Sequence, residues 1–319
     1  VTVAGADGAV LTASGTNDQP TTSGARSWWW RHNQRHGNLG DALNLVVLEA
    51  FGVTAHRTLS PVTSSAPTPT LLAIGSTVSD RIVADRHAHC VVWGSGWRGE
   101  QVSDATRDLL DVRAVRGPHT AAALGVTGQV PMGDPALLLP RIIDANAHRS
   151  SSRSSGRAIL VPHISHISGA PEVGCDQTVT VGVRQAGLTG RFTTTDMVRR
   201  VRTIANAGFV LTGALHAAII AQAYGVPWAP WRGPDVDCPA KWDDWAAYLG
   251  IELQFAPDRA AGERWWADHG STGLVGDLTG LTEAFPYDAL GLLAPASPGP
   301  VTLLSSPRRR GWPLAWLPQ

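Results

Sequence analysis

Across residues 209–228 the hydrophobic pattern changes its period. Phe209-Val210-Leu211 is a continuous apolar run that breaks at Thr212-Gly213; good helix formers then run from Ala214 to Tyr224, and Gly225 stops them before Val226-Pro227. A short apolar run followed by helix formers and a terminal glycine predicts a strand, a tight turn and a helix. His216 falls in that helix's first turn and is the only side chain in it that titrates near neutrality. The carboxyl end of a strand meets the amino end of a helix there. Free backbone N–H groups and the positive end of the helix dipole favour an anion at such a junction, and a histidine in it can move protons. A packing role is the competing assignment for a lone histidine in an apolar helix.

The same strand-to-loop pattern recurs along the chain. Residues 71–74 run into Gly75-Ser76, residues 90–93 into Gly94-Ser95-Gly96, residues 112–115 into Arg116-Gly117-Pro118, and residues 158–161 into Pro162-His163. Buried apolar strands ending in small-residue loops predict an α/β fold with parallel sheets. Pro118 suits the first turn of a helix reaching Leu124, which leaves Arg116 at a strand's carboxyl end. An arginine there can grip a carboxylate or phosphate with its planar fork, or form a surface salt bridge. In Gly37-Asn38-Leu39-Gly40-Asp41-Ala42-Leu43-Asn44, Asn38 and Gly40 fit a tight turn, and Asp41 is expected to cap the helix that follows and stops at Gly52. Residues 195–206 pattern as an amphipathic helix with Arg199, Arg200 and Arg202 on a solvated face. Lys241-Trp242-Asp243-Asp244-Trp245 opens another helix that ends at Gly250, and Ser27-Trp28-Trp29-Trp30 reads as a first strand.

Composition narrows the class. A chain of 319 residues is longer than most single domains, so two domains are expected. The boundaries read as a lead-in over 1–24, a first domain over 25–142, a Ser/Arg-rich linker over 143–157, a second domain over 158–255 and a C-terminal extension over 256–319. Zero formal net charge argues against a nucleic-acid partner and allows at most peripheral membrane contact. Cys90, Cys175 and Cys238 are widely spaced with no Cys-x-x-Cys pair, which fits a reducing compartment. No apolar run approaches the ~20 residues of a membrane span, and residues 1–24 lack the basic-then-apolar order of a signal peptide, so a cytoplasmic location is expected. His163-x-x-His166 is a metal signal without a third ligand, and no metal is expected.

Several of these pieces together resemble the polysaccharide pyruvyl transferase family. They are Asn38-Leu39-Gly40-Asp41, Trp93-Gly94-Ser95-Gly96, Val115-Arg116-Gly117-Pro118, Gly133-Asp134-Pro135-Ala136, Val161-Pro162-His163, and Leu215-His216 with its Tyr224-Gly225-Val226-Pro227 exit. Their order and spacing carry the likeness. The resemblance implies two doubly wound, Rossmann-like α/β domains facing each other across a cleft, as in GT-B glycosyltransferases. It implies transfer of the enolpyruvyl carbons of phosphoenolpyruvate, as donor substrate and with no cofactor, onto two hydroxyls of a sugar or lipid-linked glycan. The products are a cyclic pyruvate ketal and phosphate. His216, Asp41 and Arg116 match the family's histidine, its loop acid and an arginine associated with the donor. Asn38, Gly40, Gly94, Ser95, Gly96, Gly213, Ala214 and Leu215 fall in the matching substrate-binding segments. Ala214 stands where many members carry a basic residue, so the phosphate grip is expected from the helix N-terminus, His163 or Arg184.

The chemistry suits these residue types. A poised histidine can protonate the donor's methylene carbon, and a carboxylate can accept the proton of the attacking hydroxyl. Two other classes remain open on sequence. One is a GT-B glycosyltransferase using a nucleotide sugar, with Asp235 or Asp237 on the ribose. The other is a glycan-binding protein, for which 13 tryptophans offer stacking surfaces.

Overall fold

The computed structural model of the chain describes residues 24–27, 36–57, 69–84, 89–145, 156–166, 171–186, 191–192, 194–271, 275–292 and 294. The lead-in expected ahead of Gly24, the Trp28-Trp29-Trp30 run, the serine-rich run at 149–155 and the basic run Arg308-Arg309-Arg310 lie outside the described residues.

The first half begins with β1 (Gly24–Ser27) and a short β2 (His36–Asn38), which leads directly into α1 (Leu39–Ala50). It continues through β3 (Thr54–Arg57), β4 (Thr70–Leu72), α2 (Asp80–Ala84), β5 (Cys90–Ser95), α3 (Asp104–Arg107), β6 (Leu110–Val115) and α4 (Pro118–Leu124). Five of these strands form one parallel sheet in the order β3-β1-β4-β5-β6. From β1 the chain steps to β3 on one side and then to β4 on the other. The reversal between β1 and β4 opens the crevice where doubly wound sheets bind ligands.

A 3₁₀ turn at Pro135–Leu138 and α5 (Leu139–Ile142) join this half to β7 (Ala158–Val161). Then come β8 (Gln177–Thr178), β9 (Gly182–Ala186), β10 (Arg191–Phe192), α6 (Thr194–Ala205), β11 (Phe209–Thr212), α7 (Leu215–Ala223), β12 (Trp228–Pro230) and α8 (Pro239–Leu249). A second parallel sheet has the order β12-β11-β7-β8, so its reversal lies between β7 and β11. Every residue of β7 and of β11 is buried, as continuous apolar runs predict for central parallel strands. Antiparallel pairing of β2 with β9 couples the halves, with His36 opposite Arg184 in the register.

Local signals fix the helix ends. Pro118 and Pro239 occupy first turns, and Gly125 and Gly250 close α4 and α8 in the left-handed conformation. One expectation is corrected. Helix α1 starts at Leu39 rather than after Asp41, so Asn38 holds the N-cap position and Asp41 lies inside the first turn. Asn38 does not cap through its side chain; its amide donates to the Asp41 carboxylate at 2.9 Å.

The two sheets share one apolar cluster, which includes Leu43 of α1, Val91 and Trp93 of β5, Leu160 of β7, Leu211 of β11 and Ile219 of α7. The chain beyond residue 255 packs on both halves. α9 (Arg259–His269) sets Trp265 against Trp228 of the second sheet, ring centroids 5.5 Å apart. After α10 (Thr279–Glu283), Phe285 stacks on Phe51 at 4.4 Å, and the Leu281 carbonyl accepts from Trp93 at 2.8 Å.

Two buried polar braces fix the carboxyl ends of the first sheet. Asn44, in α1, donates to the carbonyls of Asp41 and Ile74 at 2.9 and 2.8 Å and accepts from the Ile74 amide at 2.9 Å, pinning α1 to the segment after β4. Arg116 and Asp244, both fully buried, form an ion pair at 3.0 Å between the end of β6 and α8. Asp244 also accepts from the Thr120 amide and hydroxyl at 2.9 and 2.7 Å. Removing one partner of such a pair leaves an uncompensated charge in the core. Asp244→Ala should therefore lower unfolding free energy by about 3–5 kcal/mol, read from denaturant midpoints; a loss below about 1 kcal/mol would show that water reaches Arg116.

Candidate active site

The two reversals open on one cavity of about 310 Å³. Gly75 and Ser76 reach it from the end of β4, Arg98 and Glu100 from β5, and His163 from β7. Ala214, Leu215 and His216 come from the turn after β11, Asn38 and Asp41 from the start of α1, and Arg81 and Ile82 from α2. Asp237 and Lys241 complete the wall from the start of α8. A parallel sheet directs its strand-to-helix turns to one edge, so two such edges facing each other concentrate helix N-termini on the space between them. Neither α1 nor α7 has a side-chain cap, and the first N–H of α1, that of Leu39, goes to the Val181 carbonyl at 2.8 Å.

His216 stands at the meeting point. A Cβ built on Gly40 would lie 2.1 Å from its Nδ1 and 2.3 Å from its Cγ, so only glycine lets the first turn of α1 reach the imidazole. Asp41, one residue on, lines the same cavity. Gly75, at φ +133°, passes so close that a Cβ there would come within 3.1 Å of an Asp41 carboxylate oxygen. On the other side of the ring, His216 Nε2 lies 3.4 Å from Oδ2 of the buried Asp134. Asp134 uses its other oxygen to cap the 3₁₀ turn, accepting from the Ala136 amide at 2.9 Å.

The opposite wall is cationic but partly neutralised. Lys241 and Asp237 pair one helical turn apart, and Arg98 lies 3.9 Å from Asp237. Burial alone would raise the Asp237 carboxyl; the Lys241 charge and hydrogen bond, with His163 and Arg98, outweigh it and hold Asp237 below the usual carboxylate range. His163 takes a hydrogen bond with Ser165 Oγ at 2.8 Å and turns Nε2 toward Asp237 at 3.4 Å. Burial first, and then the Lys241 charge, pull its imidazolium down to about 4. His163 is therefore a neutral ring at physiological pH. His166 instead pairs with Asp235, so the two rings of the His-x-x-His segment serve different carboxylates. Among the described residues no group of three or more His, Cys, Asp or Glu side chains is arranged to hold a metal ion.

Other residues singled out from sequence lie behind this wall. Arg116 is buried against Asp244 and is not a surface ion pair; it does not line the cavity, and it donates at 2.7 Å to Ser76 Oγ, which does. Gly96 gives that guanidinium its room, since a Cβ there would sit 2.0 Å from Arg116 Cζ. Gly94, at φ +78°, makes way for Pro135, and Ser95 Oγ donates to the Gly75 carbonyl at 2.9 Å. Ser95 and Gly96 hold the turn after β4 through the Gly75 carbonyl, and none of the three lines the cavity. Gly213 lies beside His163, where a Cβ would be 3.3 Å from the His163 amide nitrogen. Arg184 lies in β9, and its side chain falls outside the described residues. Sequence reasoning passed over Arg81, Arg98, Lys241 and Asp134 as site residues. Asp134 had a signal in Gly133-Asp134-Pro135, but Lys241 read only as the start of a helix.

No family model matches the chain. The chain is 30% identical over 228 residues to the succinoglycan biosynthesis protein ExoV of Rhizobium meliloti, an alignment covering 71% of this chain and 65% of that protein. It thus spans 65% of the length of that curated relative. Among solved structures it is similar to a protein of uncharacterized function from Klebsiella pneumoniae subsp. pneumoniae, at 13% identity and a TM-score of 0.45 over 73% of this chain and 93% of that one. A likeness at that level carries no argument.

The His163 environment gives a direct test. Its pKa in the fold lies below the ordinary 6.5, so between pH 6.5 and about 4 the unfolded chain binds a proton that the folded chain refuses. Stability contributed here is present above pH 6.5 and is lost as pH falls through that window. An NMR titration of the imidazole resonances should give a His163 midpoint near 4. A midpoint at 6.5 or above would mean that the ring is solvated or paired as a cation with Asp237.

Proposed function

We propose that the chain is a pyruvyltransferase of polysaccharide biosynthesis, moving the enolpyruvyl group of phosphoenolpyruvate onto two hydroxyls of a sugar or lipid-linked glycan acceptor in the cytoplasm. In this reading residues 25–142 and 158–255 form a GT-B-like pair of doubly wound halves. The observation that carries it is the meeting of His216 and Asp41 at paired helix N-termini, in a cavity walled by Arg81, Arg98 and Lys241. The 228-residue similarity to a succinoglycan biosynthesis protein supports the pathway class.

Phosphoenolpyruvate brings a carboxylate and a phosphate. The N-terminal amides of α1 and α7 and the side chains of Arg81, Arg98 and Lys241 meet that charge, taking the place of the basic residue absent at Ala214. Arg116 then acts from behind, fixing Ser76. His216 gives a proton to the methylene carbon, the double-bond electrons form the new C–H bond, and positive charge develops on the carbon bearing the phosphate. Asp41 steadies that charge and takes the proton of the first attacking hydroxyl. Departure of phosphate and attack by the second hydroxyl close the ketal, with the second hydroxyl's proton leaving with the phosphate. In the nucleotide-sugar reading the candidate ribose acids are already engaged, Asp237 with Lys241 and Asp235 with His166.

Incubating the chain with phosphoenolpyruvate and a panel of glycans should release one phosphate for each acceptor that gains a pyruvate ketal by mass spectrometry. The rate should survive exhaustive chelation, because protein groups supply the compensating charge. Acceptor gaining a hexose from a nucleotide sugar would replace the reading with glycosyl transfer, and glycan binding without turnover would replace it with a binding protein. In the same assay His216→Ala should lower turnover by about 10²–10⁴-fold; a variant keeping half the parent rate would return His216 to packing.

A further inference from the structure

Asp134 and His216 pose a problem of hydrogen bonding. Among the described residues, Asp134 Oδ2 and His216 Nε2 are both buried polar atoms with no hydrogen-bond partner, and they lie 3.4 Å apart. A buried carboxylate oxygen and a buried ring nitrogen left unpaired each carry a desolvation penalty, so the pair is stable only if a proton lies between them. A carboxylate only accepts. The proton therefore belongs on Nε2. The ring's other nitrogen, Nδ1, packs beside Gly40 and is not among the buried unpartnered atoms, and His216 lines the cavity.

We propose that Asp134 is a positioning residue that holds His216 as its Nε2–H tautomer and so makes Nδ1 the atom that carries protons to and from the cavity. The assignment follows from the fold. Asp134 is fixed by the cap it gives to Ala136, at the start of the 3₁₀ turn that packs on α7, so its second oxygen cannot turn away from the ring. Gly40 holds the imidazole from the opposite face, and Asn38 ties the nearby Asp41 carboxylate at 2.9 Å. When Nδ1 takes up a proton, the buried carboxylate offsets the imidazolium charge; when it gives that proton up, the same contact restores the starting tautomer. Tyr248, whose hydroxyl is pushed up by burial and by Asp134, is the further titratable group next to the carboxylate.

Asp134→Asn makes the test sharp, because Asn keeps an oxygen for the Ala136 amide and places an NH₂ donor where Oδ2 stood. A donor facing Nε2 forces the opposite tautomer, with the proton on Nδ1. Long-range ¹H–¹⁵N correlation spectra of the ligand-free chain should show His216 as Nε2–H in the parent and Nδ1–H in Asp134→Asn. The kinetic half of the proposal rests on the pyruvyltransferase reading: turnover of Asp134→Asn should fall at least about 100-fold with the phosphoenolpyruvate KM within about twofold, since only the proton's position has changed. If Asp134→Asn does not fold, Asp134→Ser keeps a capping oxygen, removes Oδ2, and should lose the Nε2–H preference along with turnover. A parent His216 found as Nδ1–H, or a tautomer that Asp134→Asn and Asp134→Ser leave unchanged, overturns the proposal. If the parent transfers no pyruvyl group to any acceptor, the spectra alone decide it, because the tautomer does not depend on the reaction.

Discussion

The absence of a side chain at residue 40 is the constraint on which the site depends. Helix α1 and helix α7 belong to different sheets, yet their first turns approach until the His216 ring occupies the space a Cβ on residue 40 would need. The α1 side of the cavity is placed relative to that contact. Asp41 follows Gly40 by one residue, Asn38 precedes it and holds the Asp41 carboxylate, and Asn44 ties the same helix to the segment carrying Gly75 and Ser76. A larger residue at 40 would part the helices, and with them Asp41 from His216.

The electrostatics follow a similar division between wall and support. On one side, uncapped helix N-termini and a histidine face the cavity; on the other, Lys241 and Arg98 share Asp237. That carboxylate offsets the repulsion between two buried or half-buried cations. An incoming dianion competes with Asp237 for the same donors, so affinity there is set by a difference between two charge-assisted arrangements rather than by a sum of contacts. His163, held neutral, adds a dipole to this wall without adding to its charge.

How far the sequence disclosed this arrangement depended on the range of the interactions involved. Strands β7 and β11 and helices α4, α7 and α8 were legible because apolar runs, a first-turn proline or a terminal glycine are local signals. The junction carrying His216 was legible for the same reason. Arg116 was legible as the end of a strand but not as a buried group, because its partner Asp244 lies 128 residues away and no local pattern announces that pairing. Lys241 was hidden likewise, since a lysine in the first turn of an amphipathic helix looks solvated until the opposite sheet covers it. The start of α1 was misplaced because Asn38 takes the N-cap geometry without the side-chain bond that usually marks it.

Two parallel sheets whose strand ends meet at one cavity invite a picture of hinge closure, and the packing argues for a different balance. A single apolar cluster runs from β5 through α1 to β7, β11 and α7. The chain beyond residue 255 returns from the second sheet to the first through Trp265 and Phe285, and the Arg116–Asp244 pair joins β6 to α8 beneath the cavity. Separating the halves would expose that cluster and strip both partners of a buried ion pair, each a cost of several kcal/mol. The groups that line the cavity are accordingly brought together by folding rather than by a ligand. The reorganisation that gathering them would demand is met once, when the chain folds, and pre-arranged donors stabilise charge more effectively than donors that must first be gathered. The contact between Gly40 and His216 is thereby part of the packed core rather than of a moving joint.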